Sequence, residues 1–346
     1  MNSTNVTIGI DLGDRRHAVC VLSAGGEILA ETEITNTREC LVAFAQRYPG
    51  ATFVMETGTH SPWVSRLLEQ LGHTVHVANA RKVRAISSSP TKSDEQDARM
   101  LARLGRADPA LLSPIKHRSE SAQRALVRLK VREALVRARV NAMNTVRFLV
   151  KSLGVQVPRG VKATAFVRKF RAQASAADTA LVEPLLQTLD ALNARIKELD
   201  HELEMLADER HPATQRLRQV PGVGPLTALG FVLTVESPNR FPHTRDVGAY
   251  LGLVPRRDQS GMTDKQLPIT KRGNVQLRCL LVNCAHYILG PFGPPSALRA
   301  AGERIAARGG KSAKKRAVIA VARKLAVMLL ALWKSGAEYH ALPAAA

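Results

Sequence analysis

Cysteine is scarce: four residues in 346 (Cys20, Cys40, Cys279, Cys284), with no Cys-x-x-Cys pair among them. That excludes a disulfide framework and a cysteine-rich zinc site, and it fits a reducing compartment. Aromatic residues make up 4% of the chain, too few for stacking platforms to be its main way of holding a single strand. Long apolar runs are missing. The longest toward the end, Leu325 to Trp333, has nine residues and is flanked by Arg323-Lys324 and Lys334, whereas a membrane span needs about 20. The opening MNSTNVTIGID has neither the charged region nor the apolar stretch of a secretory leader, so neither a secreted nor a membrane protein is expected. Negative charge is also short. Asp plus Glu total 29 against 50 Lys plus Arg, a formal net charge of +21, which points to a polyanionic partner, most often nucleic acid.

What is present is enough apolar material for a sizeable core, 45% of residues, spread over about two domains' worth of chain. Residues 5 to 35 alternate and break at Asp11-Leu12-Gly13-Asp14 and at Gly25-Gly26, predicting a three-stranded meander. Asn36-Thr37 reads as a helix cap before Leu41 to Tyr48. Thr52-Phe53-Val54-Met55 reads as a short buried strand that ends at Glu56-Thr57-Gly58. Ser61-Pro62 predicts the N-cap and first position of a helix to Leu71, closed by Gly72 and followed by a strand at Val75-His76-Val77. Residues 79 to 93 carry Arg81, Lys82, Arg84 and Lys92 and no acid, as a mobile or nucleic-acid-facing loop would. Ser93 caps a predicted helix from Asp94 to about Arg106. The order is that of an α/β domain.

From Ser119 the texture becomes helical. Leu126, Leu129, Val136, Val140, Met143, Val146, Val150 and Leu153 recur at three-or-four spacing. Between Arg124 and Lys151 eight cations face one acid, Glu133, which predicts a stripe for the phosphate backbone. After a connector near Gly154 to Gly160, Val182, Leu185, Leu189, Leu192, Ile196, Leu199, Leu203 and Leu206 form a heptad. The two helices make either an antiparallel pair or a dimer zipper; periodicity does not choose. From His211, Pro221-Gly222-Val223-Gly224-Pro225 is a tight turn entering a helix, Arg256 to Gly261 is a polar loop, and Asn274 to Leu289 and Ser312 to Lys334 are helices.

Four acids of the first part stand where chemistry wants them. Asp11 closes the first strand and Glu56 the fourth, and strand ends put side chains at one sheet edge. Asp94 and Asp97, three apart on a helix, share a face. Four carboxylates brought together repel unless a cation joins them, and hard oxygen donors suit Mg²⁺ or Mn²⁺ in phosphoryl transfer. Singly, each has an ordinary role as turn former or helix-terminus charge. Jointly, with the order β-β-β-α-β-α-β-α, they match the ribonuclease-H-like layout. IGIDLG also opens sugar kinases and actin-like ATPases, but no second IDxG occurs and the charge is wrong for a metabolite kinase. His73 and His76 alternate poorly for a metal pair, and Cys279 and Cys284 read as core.

In the last part, Gly222 and Gly224 let backbone N–H groups approach phosphate, as in a helix-hairpin-helix turn; an ordinary turn between helices is the other reading. Ser260 lies among Arg256, Arg257, Lys265, Lys271 and Arg272. An exposed serine among cations suits attack on a phosphodiester, although Gln-Ser-Gly is also common loop composition.

Taken together, IGIDLG, VMETGTHSPW, the Lys92–Ala98 run KSDEQDA, QVPGVGPLTA, DVGAYLGLVPRRDQSG and PITKRGNVQLRCLLVNCA, in this order, resemble the DEDD transposases of the insertion sequence 110 family, also called bridge-RNA-guided serine recombinases. The resemblance implies a RuvC-like DEDD domain at 1–115, a helical coiled-coil region at 116–210, and a mostly helical C-terminal transposase domain at 211–346. It implies that the tetrad is Asp11, Glu56, Asp94 and Asp97, binding Mg²⁺ or Mn²⁺, and that the nucleophile is Ser260. Ser93 stands where the family often has threonine, and Gln259 where the serine is often doubled. The resemblance further implies target and donor duplex DNA, a structured guide RNA made from the element's own ends, a dimer or tetramer, and a cytoplasmic, nucleoid-associated enzyme. Gly222, Gly224, Arg256, Arg257, Lys271 and Arg272 are the expected nucleic-acid contacts. The alternatives are a junction-resolving endonuclease with water as nucleophile and a non-enzymatic nucleic-acid scaffold.

Overall fold

A computed structural model describes residues 6–82, 93–157, 160–261 and 263–341. The basic stretch expected to face nucleic acid falls mostly in 83–92, outside the described residues. The chain divides into two compact units, 1–118 and 119–346. Among the described residues no helix is long and apolar enough to cross a membrane.

The first unit is built on five strands: β1 Thr7–Leu12, β2 Arg16–Leu22, β3 Ile28–Thr35, β4 Thr52–Glu56 and β5 Thr74–Ala78. Their order in the sheet is β3-β2-β1-β4-β5. β1 to β3 form the expected antiparallel meander, while β4 lies parallel to β1 and β5 parallel to β4. Helices α1 (Arg38–Ala45) and α2 (Ser61–Gln70) cover one face, burying Ile8, Ile10, Phe53 and Met55 against Leu41 and Val64. Thr37 caps α1 as its sequence predicts, accepting a hydrogen bond from the Cys40 N–H. α2 starts one residue earlier than expected: Ser61 is already helical, and His60 holds the cap position. The mixed sheet with helices on both faces is consistent with a RuvC-like unit.

Helix α3 (Asp94–Ala107), capped by Ser93, covers the other face. Ala98 and Ala102 pack on Ala18, Cys20 and Leu22, and Leu101 packs with Val54 and Ala78. The helix lies very close to the sheet. A Cβ added to Gly9 would sit 2.0 Å from the Ala98 carbonyl oxygen and 2.5 Å from the Ala102 nitrogen, so only glycine permits this contact.

The second unit is helical. α4 (Glu120–Lys151), α5 (Phe166–Gln173) and α6 (Ala176–Arg210) come first. α4 and α6 pair within the chain and run antiparallel. Met143 and Val146 meet Leu186 and Leu189 at one end, and Leu126 and Leu129 meet Leu203 and Ala207 at the other. The heptad stripe is thereby occupied by its own chain. α5, for which the sequence reading had no element, closes the first of these clusters with Phe166 and Phe170. Two cations of the expected phosphate stripe turn inward instead: Arg132 pairs with Asp200, and Arg139 donates to Asn193.

The remaining elements are α7 (Ala213–Leu217), α8 (Pro225–Val235), α9 (Asp246–Tyr250), strands β6 (Pro255–Ser260) and β7 (Thr263–Ile269), α10 (Val275–Leu289), α11 (Ala297–Ala307) and α12 (Ala313–Ser335). They enclose a core that includes Leu217, Phe231, Leu251, Leu281, Val321 and Leu325. One expectation is corrected: Arg256 to Gly261 is a strand and its turn, in an antiparallel hairpin. Polarity hid it, because the hairpin's cohesion comes from cross-strand charge pairs. Asp258 lies opposite Lys265, and Arg257 binds Asp264 through two hydrogen bonds of 2.8 and 2.7 Å.

Candidate active site and nucleic-acid interface

The last paired residues of β1 and β4 are Ile10 and Met55. Asp11 and Glu56 therefore leave neighbouring parallel strands, about 4.8 Å apart, at the same register. Side chains alternate along a strand, so both lie opposite the face that buries Ile10 and Met55. Asp11 also pairs with Ala18, which packs on α3. Both acids are half-buried.

The direction of α3 decides where its acids fall. Arg106 donates to the Ala24 carbonyl in the β2–β3 turn, and that turn sits at the start of β1 because Thr7 pairs with Leu22. α3 thus runs antiparallel to β1, and its N-terminus reaches the edge where Asp11 and Glu56 emerge. Arg99 fixes the helix further, with hydrogen bonds of 2.7 and 2.8 Å to Glu31 of β3; these hold the Glu31 carboxyl below its ordinary pKa. Asp94 and Asp97 occupy the first turn of α3, with Asp97 half-buried and Asp94 exposed. The helix dipole favours acids there.

The structure thus brings the four sequence-predicted acids to one edge and one face of one sheet. It does not draw them together: among the described residues no three His, Cys, Asp or Glu side chains are grouped to hold a metal ion. The donor set, all carboxylate oxygen on regular elements, suits Mg²⁺ or Mn²⁺.

In the second unit Ser260 is the last residue of β6, exposed and opposite Thr263. The reversal at Gly261 uses a positive φ of 55°. Arg256 is exposed on the same strand. Arg257, expected as a phosphate contact, spends its guanidinium on Asp264. Lys271 and Arg272 are exposed where the hairpin returns to α10. Sequence reasoning missed the residue that holds this return: Arg278, buried, donates to the carbonyls of Leu251 (3.0 Å) and Arg272 (2.8 Å). Its one signal was an arginine at an apolar position of α10.

The glycine turn between α7 and α8 borders a cavity of about 490 Å³ lined by Gly222, Gly224, Arg218, Asn283 and Tyr287 among others. Gly222 takes φ +87°, and a Cβ there would strike the Tyr287 ring at 2.7 Å. A much larger groove, about 1,910 Å³, runs between the hairpin base, α10, α11 and α12. Half-buried Val282, Leu289, Val318 and Met328 contribute to its floor. Its rim carries Lys271, Arg308, Lys314, Lys315, Arg316, Arg323 and Lys324 against the single acid Glu303. The sequence signal was the run of cations from Arg308 to Arg316, part of which falls in the helix expected from Ser312 to Lys334.

Residues 8–154 match the DEDD transposase model of the IS110 family, described as a transposase. Residues 214–298 match the model of the IS116/IS110/IS902 transposase family. The chain is 32% identical over 290 residues to the transposase for insertion sequence element IS1328 of Yersinia enterocolitica, covering 81% of this chain and 83% of that one. It is 26% identical over 289 residues to the transposase for insertion sequence element IS1111A of Coxiella burnetii, covering 82% and 77%. It is 25% identical over 331 residues, 92% of each chain, to the pilin gene-inverting protein of Moraxella bovis. Two family matches spanning both units, and a relative aligned along most of its length, agree with what the sheet edge and the basic second unit indicate: the chain belongs to the IS110 family of transposases.

Proposed function

We propose that this transposase cuts and rejoins DNA through Ser260, assisted by a divalent cation held by Asp11, Glu56, Asp94 and Asp97. The observation that carries the reading is the meeting of Asp11, Glu56 and the first turn of α3 at one sheet edge. The exposed serine on a hairpin flanked by cations supplies its second half. A bound Mg²⁺ or Mn²⁺ would stabilise charge developing on the phosphate and the leaving oxygen.

Ser260 Oγ attacks the phosphorus. The Oγ–P bond forms, the bond from phosphorus to one deoxyribose oxygen breaks, and that oxygen leaves with a proton. A hydroxyl of another strand then reverses the step, so no bond energy is lost to water. Arg256, Lys271 and Arg272 hold the phosphate at the hairpin. The Gly222–Gly224 turn and the cationic groove beside the hairpin base hold flanking backbone. A net charge of +21 and a chain with few aromatic readers support delegating sequence choice to a structured guide RNA that pairs with target and donor DNA. Strand exchange needs more than one active site, hence a dimer or tetramer.

Ser260→Ala tests the assignment. Strand exchange between two supercoiled substrates falls on the order of 10³-fold or more, while duplex binding by gel shift is unchanged. Exchange at the parental rate would assign the chemistry to water and leave Ser260 a turn residue.

A further inference from the structure

Two loops follow the proposed metal-holding strands: Gly13-Asp14-Arg15 after Asp11, and Thr57 to His60 after Glu56. They are joined by side chains that the reaction itself does not use. Asn36, at the end of β3, donates from Nδ2 to the carbonyls of Gly13 (3.1 Å) and Asp14 (3.0 Å), and its backbone N–H donates to Arg15 (2.9 Å). His60 Nε2 lies 2.9 Å from Asp14 Oδ1. Trp63 of α2 donates its indole N–H to His60 Nδ1 at 3.2 Å.

The last bond settles the ring's tautomer. An Nδ1 that accepts from Trp63 carries no proton, so Nε2 carries it and donates to Asp14. The 3.4 Å approach of Asn36 Nδ2 to His60 Nε2 then sets two donors side by side, and it is the carbonyls that hold Asn36. The loop after β1 has little room to adjust, since a Cβ on Gly13 would lie 2.3 Å from the Arg16 carbonyl. His60 is largely enclosed, with 24% of its side chain exposed, while Asp14 is 96% exposed. A single hydrogen bond from a neutral ring to an exposed carboxylate is worth little as stability. What it does is join one loop to the other.

We infer that His60 is a positioning residue: oriented by Trp63 and bonded to Asp14, it ties the loop after Glu56 to the loop after Asp11 and so fixes the spacing of those two carboxylates toward the cation. The inference rests on the metal reading above. Outer supports of this kind change metal affinity about 10- to 100-fold when removed.

The test is Mn²⁺ binding to the full-length protein without DNA, followed by electron paramagnetic resonance, with thermal unfolding as the check on folding. His60→Ala weakens Mn²⁺ binding about tenfold or more. His60→Gln, whose amide can still donate to Asp14, stays within about threefold of the parent. Asp11→Asn is the reference for the site itself. Unchanged affinity in His60→Ala, with affinity lost in Asp11→Asn, overturns the clamp and leaves the metal reading standing. Equal losses in His60→Ala and His60→Gln would assign the effect to ring packing and also overturn it. Unchanged binding in Asp11→Asn overturns the metal reading and the clamp with it.

Discussion

The two units offer their proposed catalytic residues on opposite kinds of scaffold. In the first, Asp11 and Glu56 lie at the ends of adjacent strands of a five-stranded sheet, and Asp97 lies in the first turn of a helix pressed onto it so closely that Gly9 has no room for a Cβ. In the second, Ser260 ends a two-stranded hairpin whose strands are exposed and joined by charge pairs. Packed sheets hold ligands at fixed spacing, whereas an isolated hairpin is marginal by itself. Under the proposed function the difference teaches a division of labour: cation ligands need a constant geometry, and a nucleophile that must reach more than one strand gains from an element with few anchors.

The sharpest way to break that comparison is at the rigid edge. Under the proposed function Asp97→Asn removes one cation ligand and lowers the rate of DNA cleavage on the order of 100-fold or more, with affinity for duplex DNA unchanged. A rate within twofold of the parent across a Mg²⁺ titration would detach the sheet edge from the chemistry. Gly9→Ala attacks the same edge through packing. The new Cβ meets backbone atoms of α3 that cannot step aside, so the first unit loses about 3 kcal/mol, measured by denaturant unfolding. A loss under 1 kcal/mol would mean α3 is not pinned there.

The hairpin side is probed through its groove. Replacing Lys314, Lys315 and Arg316 by Ala weakens DNA binding uniformly across sequences. The slope of log affinity against log salt falls by about two to three. An unchanged slope would remove the groove from the interface.

The smallest effect is a dependence of the first unit's stability on pH. His17, His73 and His117 all lie in the first unit, and burial lowers the pKa of each below the ordinary 6.5. For His17 burial is the largest cause and the nearby His60 adds to it, outweighing the contacts with Asn36 and Gly13 that favour the proton. Below pH 6.5 the unfolded chain takes up protons that the folded unit refuses, so stability falls as pH drops toward the folded values. For His17 the slope is at most about 1.4 kcal/mol per pH unit. Fluorescence reports this directly in a Trp333→Phe background, where Trp63 is the remaining tryptophan. His17→Leu flattens the slope; an unaltered slope would show that His17 is not held neutral.

Legibility in the sequence followed the same divide. The meander, the caps at Thr37 and Ser93, and the positions of Asp11, Glu56, Asp94 and Asp97 were readable because strand alternation and turn chemistry are local signals. The β6–β7 hairpin was not, because β6 after Pro255 and β7 before Leu267 are polar and their pairing is visible only once Arg257 and Asp264 are known to face each other. The helical pair was readable as two helices. That they pair with each other follows from clusters at both ends, which periodicity does not encode. Arg132 and Arg139 looked like part of a phosphate stripe because charge alone does not say which face meets α6. The groove escaped for a similar reason: most of its cations lie close together between Arg308 and Lys324, but that they rim a groove depends on how α10, α11 and α12 pack.

The most direct test of the account is a trapped intermediate. Nicked suicide substrates incubated with the protein and Mg²⁺, then denatured, should yield a covalent protein–DNA adduct. Nuclease digestion and peptide mapping should leave the phosphate on Ser260, and the adduct should vanish in Ser260→Ala and in Asp11→Asn. Cleaved DNA with no adduct, or a phosphate on any other residue, would contradict it.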